Sequence, residues 1–327
     1  MAQKTAFKLP SVVHTRHKKL RRVGFELEFT GLDLGQTTAI VKQVFSGKII
    51  SVSPAACTVA VEGLGDFTIE LDWHFLKKKA AQQNQGTSGD WLELLSQAAA
   101  LLVPMEVVCP PVALSDLDSL DPLVTELRRA GARGTEDSMI AAYGVHINTE
   151  VPGLDAVCLS GYLRSFALLQ WWLVDAHQVD FARRVSPYVD LYPETYLKQL
   201  FSRTAPDFNQ VCDDYLQYNA SRNRALDLLP LLAHMAPDEV NRAVFDTKIM
   251  ARPAFHYRLP NCQIDKPDWG LAGPWNTWWV VEELAQRPDD LDDLSAMFLD
   301  MHRPLLGVSR SEWTAMIGRW LQDHALA

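Results

Sequence analysis

Two glutamates, two residues apart, stand in an alternating stretch near the beginning of the chain. In RRVGFELEFTG, residues 21–31, apolar side chains alternate with Gly24, Glu26, Glu28 and Thr30. A period of two predicts a half-buried strand with Glu26 and Glu28 on one face. Because neighbouring anions repel, a hard divalent cation such as Mg²⁺, which takes oxygen ligands, would offset that cost. For this strand alone, a solvated acidic face is the alternative interpretation.

Other predicted strands also present side chains that can bind a metal or a nucleotide on their polar faces. They are Glu70 and Asp72 in segment 67–73, Glu106 in segment 105–111, and His146 with Asn148 in segment 141–150. If these strands are neighbours in one antiparallel sheet, their polar faces converge. Such a face could hold two or three Mg²⁺ ions and, through them, a nucleotide triphosphate. The alternatives are a solvated hairpin face for Glu70 and Asp72, and a structural role for His146.

Phosphate binding needs cationic groups, and the sequence has neither a Walker motif nor a GxGxxG fingerprint. A nucleotide would therefore have to be held by metals and arginines. Arg252 and Arg258 flank an aromatic-rich segment and are candidates for contacting a phosphoryl group; surface ion pairing is the alternative. Residues 14–22 contain seven basic groups when two histidines are counted. Arg22 is their candidate for cofactor binding, while a solvated leader is the other interpretation.

Periodicity along the chain predicts the elements that must position these residues. Strands are expected at 22–30 and 141–150, in a hairpin of 58–62 and 67–73, and at 105–111. Helices are expected at 36–45, 91–102 and 116–130, the last with Ser115 as N-cap and Gly131 as its stop. From residue 154 the chain is mostly helical, which predicts the α+β class. The predicted division is a basic leader (1–20), a β-rich catalytic sheet (21–150) and a helix-rich half (151–327) that contributes 252–265 to the site.

Composition limits the classes of function. The 327 residues are 48% hydrophobic and 22% charged, which is typical of a globular protein, and the net charge of −9 disfavours general nucleic-acid binding. The five scattered cysteines indicate neither a disulfide framework nor a structural zinc site. The polar N-terminus lacks a signal peptide, and no apolar run reaches the roughly 18 residues that a membrane helix needs. We therefore expect a soluble, cytoplasmic protein without a membrane or nucleic-acid partner.

Several short motifs occur together in a fixed order. They are GFELEF at 24–29, IELD at 69–72, MEVVCPP at 105–111 and YGVHIN at 143–148, followed by the arginine-containing segment 252–265. This ordered set, over roughly residues 20–270, resembles the amidoligase family. That family is a branch of the carboxylate–amine ligases related to glutamine synthetase and glutamate–cysteine ligase. The choice between Glu70 and Asp72 stays open, because Trp73 follows these acids instead of preceding them.

The resemblance implies a glutamine-synthetase-like antiparallel catalytic sheet that uses ATP and Mg²⁺. It implies an amide bond formed through an acyl phosphate from a small-molecule or peptide carboxylate and an amine. The roles that it implies are metal ligation by Glu26, Glu28, Glu70 or Asp72, and Glu106, contact with metal or nucleotide by His146, and phosphoryl stabilisation by Arg252 or Arg258. Asn148, on the same strand face as His146, is a candidate for cofactor binding from its position alone. The alternatives from the residues are a metal-dependent phosphotransferase or hydrolase, and a non-catalytic scaffold that no longer binds metal.

Overall fold

The computed structural model describes residues 5–71, 104–135, 143–184 and 189–327. Within these ranges the chain is α+β, with nine strands in one antiparallel sheet and eleven α-helices, which confirms the predicted class. The strands are β1 Arg22–Phe29, β2 Lys48–Val52, β3 Ala56–Val61, β4 Gly65–Leu71, β5 Met105–Val108, β6 Val112–Ala113, β7 Val145–Thr149, β8 Leu226–Asp227 and β9 His256–Tyr257. The helices are α1 Leu34–Phe45, α2 Asp121–Ala130, α3 Ala156–Ala176, α4 Phe181–Arg184, α5 Glu194–Ser202, α6 Phe208–Asn219, α7 Leu229–Met235, α8 Pro237–Ala243, α9 Ala272–Leu284, α10 Pro288–Asp300 and α11 Arg310–Asp323.

The sheet places the first strand of the chain near its centre. The strand order is β2-β3-β4-β5-β1-β7-β9-β8, and β6 pairs with the beginning of β1. The antiparallel registers of β1 with β5 and of β1 with β7 bring segments far apart in sequence beside Glu26 and Glu28. Two strands, β8 and β9, come from the helix-rich half. The division of the chain into two halves stays a prediction.

Alternation in β1 sets which face of the sheet is apolar. Val23, Phe25, Leu27 and Phe29 are completely buried in the core. Burial of one such side chain stabilises the fold by roughly 1.5–3 kcal/mol. A register slip of one residue would turn these four side chains outward and the glutamates into the core, so this register is strongly specified. The opposite, polar face of β1 therefore carries Glu26 and Glu28.

A buried ion pair fastens the beginning of β1 to the helices. Arg21 donates two hydrogen bonds of 2.9 Å to the carboxylate of Glu282 in α9, and both side chains are almost fully buried. Tyr162 of α3 and Trp278 of α9 also donate hydrogen bonds to that carboxylate. Since Glu282 accepts from three side chains, its buried charge is compensated, and the strand that carries the two glutamates is held in place.

The predicted helix 116–130 is confirmed over 121–130, but its predicted beginning and its N-cap, Ser115, are wrong. A 3₁₀ helix at Leu114–Leu120 comes first, and α2 begins at Asp121 with Pro122 in its first turn. Pro122 has no N–H to donate to the preceding turn, and its ring would clash with the carbonyl four residues earlier, so one continuous α-helix does not form. Ser115 instead donates its hydroxyl to Asp116. Gly131 ends α2 with φ of 103°, as predicted.

The other predicted elements have mixed outcomes. Strand 22–30, the hairpin and helix 36–45 are confirmed by β1, β3 with β4, and α1. Segment 105–111 is shorter than predicted, because β5 ends at Val108, and β2 was not predicted. The predicted helix 91–102 and Asp72 lie outside the described residues. None of the helices in the described ranges combines the length and apolar character that crossing a bilayer requires.

Candidate active site

Three carboxylates stand side by side across three neighbouring strands. The register opposes Glu28 of β1 to Glu106 of β5, and Glu106 to Glu70 of β4. Directly opposed residues in antiparallel strands have Cβ atoms about 4.5–5.5 Å apart, so these side chains form one row. The predicted convergence of the acidic strand faces is therefore confirmed. Glu70 belongs to the row, and the role of Asp72 stays a prediction.

A second set of polar contacts joins β1 to β7. Glu26 is opposed to His146, and Gly24 to Asn148. Nδ1 of His146 donates to Oε2 of Glu26 at 2.7 Å, and Nδ2 of Asn148 donates to Oε1 at 2.8 Å. On its other side, Nε2 of His146 lies 3.6 Å from Oε1 of Glu28. His146 thus lies between the two glutamates of β1.

The predicted arginines differ in their positions. Nη2 of Arg252 donates to Oδ1 of Asn148 at 2.7 Å and lies 3.9 Å from Oε1 of Glu26, so Arg252 joins the cluster. Arg258 instead donates through Nη1 to the backbone oxygen of Arg222. Arg22 is exposed at the beginning of β1. It lies on the face of Glu26 but four residues away, about 13 Å along the strand. Its role in cofactor binding stays a prediction.

Two further residues of this face were missed by the sequence analysis. Because Tyr257 of β9 pairs with the buried Ile147, His256 faces the same way as His146 and Asn148. Nε2 of His256 lies 3.6 Å from Oε2 of Glu26, and Nδ1 lies 3.8 Å from Oδ2 of the fully buried Asp227 in β8. The sequence signals for His256 and Asp227 were weak, because β8 and β9 are two residues long and so short a strand shows no alternation of apolar and polar residues. An acid in the leucine-rich run 226–232 was the signal for Asp227.

Arg183 of α4 is the third residue that was missed. Its guanidinium fills the space where a Cβ at Gly144 would stand. Nη1 of Arg183 lies 3.9 Å from Oε2 of Glu28, and the same Oε2 accepts the N–H of Gly144 at 2.6 Å. The missing side chain at Gly144 therefore brings a buried cation to Glu28.

Comparison with known proteins adds an independent observation. The protein-family model described as "Putative amidoligase enzyme" matches residues 19–280, most of the chain. The chain belongs to this family. The match spans β1 through most of α9 and therefore contains every residue of the cluster. Neither the curated proteins nor the solved structures provide a significant match. Family membership supports an amide-bond ligase as the class of enzyme.

Charge in this cluster is set by burial and by neighbouring groups. Burial opposes ionisation of Glu26, but His256 and His146 outweigh it and hold the pKa of Glu26 well below its usual value. Burial lowers the pKa of His256 to about 3, so its imidazole is neutral at pH 7. Burial also raises the pKa of Asp227 to about 6, against the opposing effect of Arg258. At neutral pH the cluster therefore contains ionised carboxylates beside a neutral imidazole.

The donor set fits divalent cations. Two groups each offer three ligand atoms within 4.8 Å of one another: Glu28, Glu106 and His146, and Glu26, His146 and His256. Carboxylate oxygens suit Mg²⁺, and imidazole nitrogens suit transition ions.

Cys109 is buried, and burial raises the pKa of its thiol, which agrees with a structural thiol and not with a nucleophile.

Proposed function

We propose that this amidoligase is an ATP- and Mg²⁺-dependent carboxylate–amine ligase that works through an acyl phosphate on a glutamine-synthetase-like sheet. The observation that carries the proposal is the row of Glu70, Glu106 and Glu28, with Glu26 and His146 beside it. Carboxylates on adjacent strands provide oxygen ligands for more than one Mg²⁺ ion. Family membership supports the ligase class, and the arginines beside the cluster support phosphoryl chemistry.

The proposed magnesium ligands are the glutamates of the row together with Glu26 and His146. When bound, Mg²⁺ would neutralise phosphate charge and polarise the phosphoryl oxygens. The protein's contribution is positional. Glu28 is held by the N–H of Gly144, and Glu26 by His146 and Asn148, so the carboxylate oxygens are oriented before any ligand arrives. Such preorganisation reduces the cost of ordering the site.

The proposed chemistry has two steps. An oxygen of the substrate carboxylate attacks the γ-phosphorus of ATP, which forms an acyl phosphate and releases ADP. The amine nitrogen then attacks the acyl carbon, phosphate leaves, and the amine loses a proton as the amide forms. In both steps negative charge sits on phosphoryl oxygens, which arginine forks bind well. Arg252, whose side chain is 30% exposed and touches Asn148, is the candidate for that contact; the role of Arg258 is proposed on the sequence alone.

The decisive experiment measures ADP release with Mg²⁺-ATP and a panel of amino acids, peptides and polyamines. ADP release that requires a carboxylate and an amine together supports the ligase. Hydroxylamine in place of the amine should then trap the acyl phosphate as a hydroxamate. ADP release without any amine indicates a phosphotransferase or hydrolase instead, and calorimetry that detects no binding of Mg²⁺-ATP indicates a scaffold.

A matched pair of variants links the activity to the row of carboxylates. Glu106→Gln removes one charge from the row while keeping its shape, so Mg²⁺-ATP binding and ADP release should fall at least tenfold. Glu62→Gln makes the same change at an exposed position in the β3–β4 turn and should leave both unchanged. Equal activity of the Glu106 variant and the wild type would contradict the proposed role of the row.

A further inference from the structure

Part of the basic leader (residues 1–20) lies along α9, whose side chains bind its main chain. Oδ1 of Asn276 accepts the N–H of Lys8 at 2.8 Å, and Nδ2 of Asn276 donates to the backbone oxygen of Ala6 at 2.8 Å. Further contacts of this kind join the indole of Trp275 to the oxygen of Lys8, the indole of Trp279 to the oxygen of Leu9, and the carboxylate of Glu283 to the N–H of Ser11.

The spacing of these contacts shows that the leader is extended there. From Asn276 to Glu283, α9 rises about 10.5 Å, and the leader covers that length in the three residues from Lys8 to Ser11, at about 3.4 Å each. Leu9 is 58% exposed, and Lys8 and Ser11 are exposed as well. Because α9 binds main-chain atoms while these side chains face solvent, this side of α9 is a groove for an extended chain.

A short exposed turn connects this stretch of the leader to β1. His14 and Leu20 form a β-bridge that closes the turn, and the N–H of Lys18 donates to the oxygen of Thr15 at 2.8 Å. Lys18 has φ of 60°, a left-handed conformation that costs free energy in any residue with a Cβ. All residues from 16 to 20 are exposed. Opening the turn would therefore relieve strain without uncovering a core, and residues 14–20 could then span roughly 23 Å.

We propose that two copies of this chain exchange their leaders, so that the leader of each copy occupies the α9 groove of the other. The exchanged leader would make the same main-chain contacts as in one chain, and reciprocal exchange closes a two-fold dimer. Charge favours the occupant: residues 1–20 contain five lysines and arginines and no acid, whereas the whole chain has a net charge of −9. The ammonium of Lys8 also lies 4.4 Å from the centroid of the Trp279 ring.

Exchange would also involve the second copy in holding the strand that carries the two glutamates. The backbone oxygen of Val12 accepts from Nη1 of Arg21 at 2.7 Å, and that of Val13 accepts the N–H of Arg21 at 2.9 Å. Arg21 directly precedes β1. In the exchanged dimer these two oxygens come from the other copy, so each copy completes the anchor of the other's β1. The inference does not rest on the proposed ligase function.

The test compares two substitutions at one position of the full chain. Lys18→Pro fixes φ near about −65° and removes the N–H that donates to Thr15, so the turn cannot close and the leader can bind only to another copy. Lys18→Gly adopts positive φ without strain and favours the closed monomer. Light scattering after size-exclusion chromatography should show two chains for Lys18→Pro and a mixture that depends on concentration for the wild type. The association constant of Lys18→Gly should be at least about tenfold lower than that of the wild type.

Further variants distinguish leader exchange from an interface elsewhere. Asn276→Ala removes the two hydrogen bonds to Ala6 and Lys8, so adding it to Lys18→Pro should give a monomer. Gln286→Ala, at an exposed position just after α9, is the control and should leave Lys18→Pro dimeric. The inference is overturned if folded Lys18→Pro is a monomer or if its dimer survives Asn276→Ala. It is also overturned, whatever the variants do, if the wild type has the mass of one chain up to millimolar concentration.

Discussion

The guanidinium of Arg183 occupies the space beside the Cα of Gly144 that any other residue would fill with its side chain. Arg183 is 4% exposed, and its Nη2 donates to the backbone oxygen of Arg258 at 2.5 Å. It therefore has little freedom to retreat. The glycine in β7 thus fixes the position of a cation that faces Glu28.

Gly144→Ala should displace Arg183 and loosen its contact with Glu28. We expect a loss of about 1–3 kcal/mol in the free energy of unfolding, as for overpacking in a core, together with weaker Mg²⁺-ATP binding. Denaturant unfolding and calorimetry measure the two effects. Gly273→Ala is the control, because among the described residues nothing beyond its own helix backbone and chain neighbours lies within 4 Å of a Cβ there, and it should be neutral or slightly stabilising. Equal stability and binding in both variants would contradict the role assigned to Gly144.

Divalent cations should stabilise the folded protein through the row of Glu28 and Glu106. A ligand present at 100 times its dissociation constant adds about 2.7 kcal/mol to the free energy of unfolding. We expect Mg²⁺ with a non-hydrolysable ATP analogue to raise the melting temperature of the wild type by several degrees. EDTA should reverse the shift, and Glu106→Gln should show a smaller one. A shift of the same size in Glu106→Gln would show that the cation binds elsewhere.

The buried ion pair of Arg21 and Glu282 should be costly to break from one side. Arg21→Met leaves the carboxylate of Glu282 buried without its cation, so we expect a loss of about 3–5 kcal/mol in the free energy of unfolding. Adding Glu282→Gln should recover part of that loss, since the buried charge disappears. Arg16→Gln breaks the more exposed pair with Asp155 and should cost less than about 1 kcal/mol. Losses of similar size at Arg16 and Arg21 would refute this account.

His177 should make the protein less stable in acid. Burial lowers its pKa to about 3, and the imidazole contacts the hydroxyl of Tyr257 at 2.7 Å. Between this pKa and the unfolded value of about 6.5, the unfolded chain binds a proton that the folded protein does not. Its contribution to stability is therefore complete above pH 6.5 and is lost progressively as the pH falls towards 3.

His177→Gln removes this titration and keeps a polar side chain. We expect the variant to be less stable than the wild type near pH 7. The difference should shrink by up to about 3 kcal/mol as the pH falls to about 4. Urea unfolding at several pH values measures it, and titration of His256 and Asp227 cancels because both proteins contain them. A difference that does not change with pH would show that the pKa of His177 is the same in the folded and unfolded states.

The local patterns of the sequence were sufficient for β1, the hairpin and the site residues on them. Strict alternation places Glu26 and Glu28 on one face, because successive side chains of a strand point in opposite directions. The same reasoning placed His146 beside Asn148. It could not detect His256 or Asp227, since strands of two residues have no measurable period. Arg183 lies in a four-residue helix, and nothing in its local sequence indicates that it reaches Gly144.

The sequence by itself determined which residues are capable of the chemistry and on which face of its own strand each one lies. Only the tertiary structure decided which strands became neighbours, and hence that Glu106 is opposed to Glu28 and that His256 faces Glu26. The physical reason is that strand order depends on pairing between segments that are far apart in sequence. That pairing is selected by burial of the whole apolar face in one core, a property that no single segment contains.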